Sequence, residues 1–328
     1  MAYKDLRQFI DFLEQQGQLQ RIKAPVDCDL EIAEITDRVC KASRGNVALL
    51  FENVRGYEMP VLMNTFGSEE RMAWSLGAKT LDEAATRVSN LLKMDIPSGL
   101  LGKLRRLGEL SEVARYGPKL VDKAPCQEVI VRENPSLATL PILKCWPQDG
   151  GRYITLPLVI TRDPATGRRN VGMYRLQLYD EQTLGMHWHI HKGGAEHYRH
   201  GQERSQRLDV AIALGGDPAT VYSGSAPLPP IVDEFLFAGW LRRERLDLVK
   251  GVTVDLEVPA QAEIVLEGYV DPEERRTEGP FGDHTGYYSL PDEYPVFHLT
   301  AMTRRRNPIY PSIIVGRPPM EDCYMGKA

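Results

Sequence analysis

Two acids, Glu278 and Asp283, flank a Gly-Pro-Phe-Gly turn in the stretch EGPFGDHTGYY, and His284 follows directly. Glycine and proline preset a tight backbone path, so both acids face a common space. Like charges held that close require a cation or an arginine between them, or a proton on one of them. A second constellation lies in MHWHIH, where His187, His189 and His191 stand two apart. On a strand this spacing puts all three on one face. It is a metal-ligand spacing of the kind zinc uses, and equally the pattern of a polar sheet face with partly solvated imidazoles.

NVGMYR supplies Asn170 and Arg175, which point to opposite faces of an unbroken strand. Gly172 lies between them, and a bulge there would turn both toward one site. Arg175 sits among apolar neighbours and needs an anionic partner, in a site or in a structural salt bridge. In SGSAPLPPIVDEFLFAGW, Asp233 and Glu234 fall in the first turn of a helix, where acids alone read as dipole partners. The chain has no G-x-G-x-x-G and no G-K-[ST], so dinucleotide and P-loop readings have no support. Taken together, the residues supply an amide, an imidazole and two acids for a hard cation, plus an arginine and two acids for chemistry.

The elements that must position these groups change in kind along the chain. Leu6, Phe9, Ile10 and Leu13 repeat with helical spacing, and Gly17 stops that helix. LEIAEITDRVCKA reads as a second helix and NVALLFENV as a strand; Thr80 and Glu83 open a third helix as a capping box. From residue 153 on, YITLPLVIT, NVGMYRLQLYD, LGMHWHIH, VAIALGG, TVYSG, GVTVDLEVP and EIVLEGYV read as consecutive strands of an antiparallel sheet or barrel. The boundary falls near residue 125, with a second return near 305.

At 328 residues, two domains are the natural expectation. A net charge of −5 argues against a nucleic-acid partner, and GKLRRLGELSEVARYGPKL (102–120) and RRRN (304–307) read as solvated faces. Five cysteines without C-x-x-C spacing indicate no disulfide framework and fit a reducing cytosol. The N-terminus has no apolar core of a secretory signal, and no apolar run approaches the roughly 20 residues of a spanning helix.

NVGMYR, HWHIHKGG, LPPIVDEFLFAG, LEVPAQAEIVLEGY and EGPFGDHTGYY occur in the order and at about the spacings of the UbiD family of prenylated-FMN-dependent decarboxylases. The sequence resembles that family from DLRQFIDFLEQQGQLQRI to VGRPPMED, and most of all its 3-polyprenyl-4-hydroxybenzoate decarboxylase branch. The resemblance implies a mixed α+β fold. An N-terminal α/β domain (1–125) would precede a split antiparallel β-barrel binding prenylated FMN (126–305). A strand (306–328) would return to the first domain, and the family's C-terminal domain would be absent.

Carried over residue by residue, the resemblance makes Asn170, His191 and Glu234 ligands of Mn2+ or Mg2+, with K+ beside them near Gly224, Ser225 and Ala226. Only His191 of the three histidines would then bind metal. Met173, Tyr174, Arg175, His187, Trp188, His189, Lys192, Gly193 and Pro227, with Gly224 to Ala226, would line the cofactor. Arg175, Glu278 and Asp283 match the catalytic set: Arg175 holds the substrate carboxylate, Glu278 orients Arg175, and Asp283, kept protonated beside a second carboxylate, returns the proton.

The implied reaction is non-oxidative decarboxylation of an aromatic acid, 3-polyprenyl-4-hydroxybenzoate in ubiquinone synthesis. The alternatives are a soluble phenolic or naphthoic acid as substrate, or an inactive flavin-binding fragment. The implied partners are a flavin prenyltransferase as cofactor supplier and further copies of the chain. The implied location is the cytoplasm, with peripheral association at the inner membrane through a prenylated substrate.

Overall fold

Leu6, Phe9, Ile10 and Leu13 are buried on one face of α1 (Leu6–Gln15) in a computed structural model that describes residues 2–92, 113–189, 192–229 and 232–328. Asp5 caps this helix by accepting the Gln8 N–H, and Gly17, at φ +66°, makes the left-handed turn after it. The second predicted helix is α2 (Glu31–Lys41). α3 (Glu69–Ser75) precedes α4 (Leu81–Leu92), where the Thr80 hydroxyl accepts the Glu83 N–H and the Glu83 carboxylate takes the Lys79 N–H. The box is therefore closed one residue early.

Strands β1 (Leu19–Ile22) and β2 (Ala48–Phe51) run parallel, and β2 pairs antiparallel with β3 (Val61–Met63). β16 (Tyr310–Pro311) completes this sheet in parallel with β3, so the late PIYPSIIVG segment joins the first sheet. A larger sheet is antiparallel throughout. Its strands are β5 (Val129–Val131), β6 (Tyr153–Ile154), β7 (Pro157–Arg162), β8 (Arg169–Gly172), β9 (Leu176–Leu178), β10 (Thr183–Met186), β11 (Leu208–Leu214), β14 (Ile264–Glu278) and β15 (Asp292–Arg304). They run in the order β6-β9-β10-β15-β14-β11-β7-β8, with β5 on β15, and no pairing closes β6 on β8 among the described residues. A small third sheet joins β4 (Lys119–Leu120), β12 (Asp247–Lys250) and β13 (Glu257–Pro259).

The two main sheets share a core. Phe51, Met63 and Tyr310 from the first pack in one buried cluster with Leu184, Ile212, Leu266 and Phe297 from the second. Glu263, fully buried, ties the layers further: Arg7 of α1 and Arg305 both reach it, and Arg305 also holds Asp5. Arg305 is thus a buried clamp and not part of a solvated RRRN face. Of the basic stretch 102–120, residues 102–112 lie outside the described residues.

YITLPLVIT and NVGMYRLQLYD are each split into two strands, and three further segments differ more. TVYSG belongs to the helix α6 (Pro218–Ser223), because Asp217 caps it through the Thr220 N–H and Pro218 opens it. Of GVTVDLEVP only β13 is strand. LGMHWHIH leaves the sheet after Met186, where the Trp188 N–H turns back onto the Met186 carbonyl. No described helix is long and apolar enough to cross a membrane.

Candidate active site

β8 pairs regularly with β7 through Gly172, so the bulge expected there is absent. The strand simply ends. Residues 173–175 form a non-strand link before β9, tied by the Met173 N–H to the Gly224 carbonyl and by the His187 N–H to the Arg175 carbonyl. Gly172 serves another purpose: a Cβ there would stand 2.3 Å from the Tyr174 ring, which folds back over it. The link turns Asn170 and Arg175 toward two cavities that share Met173, Tyr174, Lys192 and Ser225 in their walls.

The first cavity, about 480 Å³, lies between β8, the loop after α6, and the starts of α5 (Gly193–Glu203) and α7 (Glu234–Arg242). Asn170 and Glu234 both line it. The Asn170 amide nitrogen faces the Tyr174 hydroxyl at 3.4 Å, leaving Oδ1 beside Gly193, where a Cβ would come within 2.0 Å of it. Glu234 accepts the Val171 N–H at 3.2 Å, and burial pushes its carboxyl up to about 7. A buried carboxyl with that bias takes either a proton or a cation, so an amide oxygen and a carboxylate here suit a hard divalent ion. Its neighbour Asp233 does different work: it caps α7 at the Leu236 N–H and pairs with Arg169.

His191, the third sequence-predicted ligand, lies outside the described residues. No cluster of three or more His, Cys, Asp or Glu residues fit to hold a metal occurs among the described residues. Gly224, Ser225, Ala226 and Pro227 line the same cavity, as do Met173, Tyr174, Lys192 and Gly193. Trp188 is not in either wall; it is buried against Tyr174 and Tyr198.

The second cavity, about 360 Å³, carries Arg175, His187, His189, Asp283 and His284. Arg175 donates to both oxygens of Glu278, Nε to Oε1 at 2.8 Å and Nη2 to Oε2 at 3.0 Å. Nη2 also reaches Ser289 Oγ at 3.2 Å, and the guanidinium lies over the Phe281 ring. Among the described residues Nη1 makes no hydrogen bond, so one N–H edge stays available to an anion in the cavity. Burial opposes ionisation of Glu278, but His187 and Arg175 outweigh it and hold its carboxyl below the usual range. The guanidinium is the cation bonded to Glu278, while the partner of Asp283 is His284.

The 278–289 loop is pinned on both sides. Gln177 accepts the Gly279 N–H, Asp149 accepts the Gly282 N–H, and Ser289 accepts the Phe281 N–H. Asp283 does not behave as expected. Burial raises its carboxyl, yet Oδ1 accepts the His284 N–H at 2.7 Å and contacts Nδ1 at 2.8 Å, and these bonds bring it below its ordinary value. Glu278 is engaged by Arg175 and His187, so it is not the neighbour that could hold a proton on Asp283.

His187 and His189 meet ring to ring, Nε2 to Nε2 at 3.2 Å, because the chain turns after Met186 and not because they share a strand face. His187 Nδ1 sits 2.9 Å from Glu278 Oε2 and its ring lies on Tyr294. His189 is kept on the neutral side by burial and by His187. Ser289, Tyr294 and Asp322 join these groups without any local sequence signal.

Two family descriptions match the chain: the 3-octaprenyl-4-hydroxybenzoate carboxy-lyase N-terminal domain over residues 10–90, and the Rift-related domain of the same carboxy-lyase over residues 119–318. An uncharacterised protein of Archaeoglobus fulgidus is 53% identical over the whole chain, which spans 67% of that protein. The UbiD-class enzyme HmfF of Pelotomaculum thermopropionicum, solved with FMN, superposes with a TM-score of 0.83 at 35% identity, over 98% of this chain and 67% of its own. Vanillic acid decarboxylase of Sedimentibacter hydroxybenzoicus gives 0.86 at 30% identity, over 99% of this chain and 66% of its own. The chain therefore spans about two thirds of the length of these relatives.

Proposed function

The chain belongs to the UbiD family of prenylated-FMN-dependent carboxy-lyases, and on that premise we propose that it removes CO2 from a hydroxylated aromatic acid. The observation that carries this reading is the bidentate Arg175–Glu278 pair, which leaves Nη1 unbonded beside a cavity that shares Met173, Tyr174, Lys192 and Ser225 with the cavity of Asn170 and Glu234. A guanidinium locked on one edge presents the other to a carboxylate with little loss of freedom.

Asn170, Glu234 and His191 would hold Mn2+ or Mg2+ at the flavin phosphate, with K+ near Gly224 to Ala226. Lys192 and Ser225, in the walls of both cavities, would help to hold the flavin. Prenylated FMN supplies, when bound, the electron sink that aryl decarboxylation lacks in water. Arg175 binds and orients the substrate carboxylate, and Glu278 and Ser289 fix Arg175. Asp283 sits on the exposed His284, so a proton taken from solvent at His284 Nε2 releases the Nδ1 proton to Asp283 Oδ1, which passes it to the vacated ring carbon.

3-Polyprenyl-4-hydroxybenzoate is the leading substrate, a flavin prenyltransferase supplies the cofactor, the reaction runs in the cytoplasm or at the inner membrane surface, and the full-length form is a homo-oligomer. A soluble phenolic acid is the second reading, favoured by the likeness to the vanillic acid decarboxylase. Expression with a flavin prenyltransferase, followed by mass spectrometry of the bound molecule, tests the cofactor. Short and prenylated hydroxybenzoates in a CO2-release assay then separate the two substrates. A chain that carries unmodified flavin only, and releases no CO2 from either acid, would overturn the reading.

A further inference from the structure

Asp322 brings a second carboxylate to the wall of the reaction cavity, from the first turn of α8 (Glu321–Lys327). The cavity's other acid, Asp283, is occupied by His284. Asp322 is partly buried, its Oδ1 has no hydrogen-bond partner, and the charges that act on it are those of His284 and Asp283. An acceptor of this kind loses free energy until a donor reaches it.

The placement is rigid because of the residue before it. Glu321, with no exposure, accepts the Asn64 N–H at 2.7 Å and the Phe66 N–H at 2.8 Å, and Met325, one turn on, packs into a core with Phe66 and Met72. The helix is thereby fastened to the α/β layer on one side and offers Asp322 to the cavity on the other.

We propose that Asp322 is a specificity-determining residue that accepts a hydrogen bond from a ring hydroxyl of the aromatic acid whose carboxylate Arg175 holds. This rests on the function proposed above and assigns the residue that recognises the ring hydroxyl. A site with a buried acceptor for a substrate O–H rejects the analogue lacking it, because the acceptor is then left unpaired. The same negative charge repels a second carboxylate on the ring.

The test is calorimetric binding of 3-hydroxybenzoate, 4-hydroxybenzoate, benzoate and terephthalate to the flavin-loaded chain and to Asp322→Ala and Asp322→Asn. The wild type should bind at least one hydroxybenzoate about ten-fold or more tightly than benzoate. Asp322→Ala should erase that preference while leaving benzoate binding within about two-fold, and Asp322→Asn should gain affinity for terephthalate. Equal binding of hydroxylated and plain acids by the wild type, or a preference that survives Asp322→Ala, overturns the inference and leaves the decarboxylase reading standing. Failure of every one of these acids and of a 3-prenyl-4-hydroxybenzoate to bind overturns both.

Discussion

Glu278 holds Arg175 by both carboxylate oxygens, at 2.8 and 3.0 Å, from a position with no exposure to solvent. Planar fork meets planar carboxylate, so the pair fixes direction as well as charge. Removing one partner leaves the other charge buried and uncompensated. Glu278→Gln should therefore cost about 3 kcal/mol of stability in denaturant melts, and it should weaken substrate capture together with turnover. Because the Glu278 carboxyl is depressed below 4.5, its stabilisation is complete above that pH and is lost as pH falls through the folded value. A variant as stable as the wild type, with unchanged substrate affinity, would contradict this.

Asp283→Asn and His284→Ala separate proton carrier from proton supplier. Asp283→Asn should keep flavin content and substrate binding while stopping proton delivery, and His284→Ala should slow it about ten-fold or more, as expected of a general acid-base partner. Hydrogen–deuterium exchange at the product's ring carbon reads this without CO2 loss. Wild-type exchange in Asp283→Asn would move the acid elsewhere.

Much of this site was legible because its chemistry forces partners. Two acids around a tight turn and an arginine among apolar residues each needed the other, and Glu278 and Arg175 do meet, 103 residues apart. What was not legible depends on closure of the fold. Ser289 and Asp322 reach the cavity from loops and helices that carry no periodic signal. Short apolar runs misled as well: TVYSG alternates like a strand, yet Asp217 and Pro218 just before it start a helix. The histidine triplet was read on a strand that ends at Met186. Gly172 was expected to bend the chain, whereas its missing Cβ makes room for Tyr174.

Glu234→Gln should release the divalent ion and the flavin together, since Glu234 sits in the wall of the cavity that would hold both. Metal analysis and flavin absorbance on the same purified sample check this. Retained flavin with lost metal would break the link between them.

Glu321 gives a pH signature. Burial raises its carboxyl to about 7 from 4.5, so the folded chain binds that proton more tightly than the unfolded one. Its contribution is largest below pH 4.5 and declines as pH rises toward 7. The melting temperature of the wild type should fall more between pH 5 and 8 than that of Glu321→Gln. Parallel curves would show that Glu321 is ionised throughout.

The decarboxylase reading itself is tested most directly with 4-hydroxybenzoate labelled with 13C in its carboxyl group, given to the prenylated-FMN-loaded chain in heavy water. The account predicts 13C-labelled CO2 and one deuterium at the vacated ring carbon, both abolished in Arg175→Ala. Labelled CO2 absent from a chain shown to hold prenylated FMN and the acid, or release that persists in Arg175→Ala, would contradict it.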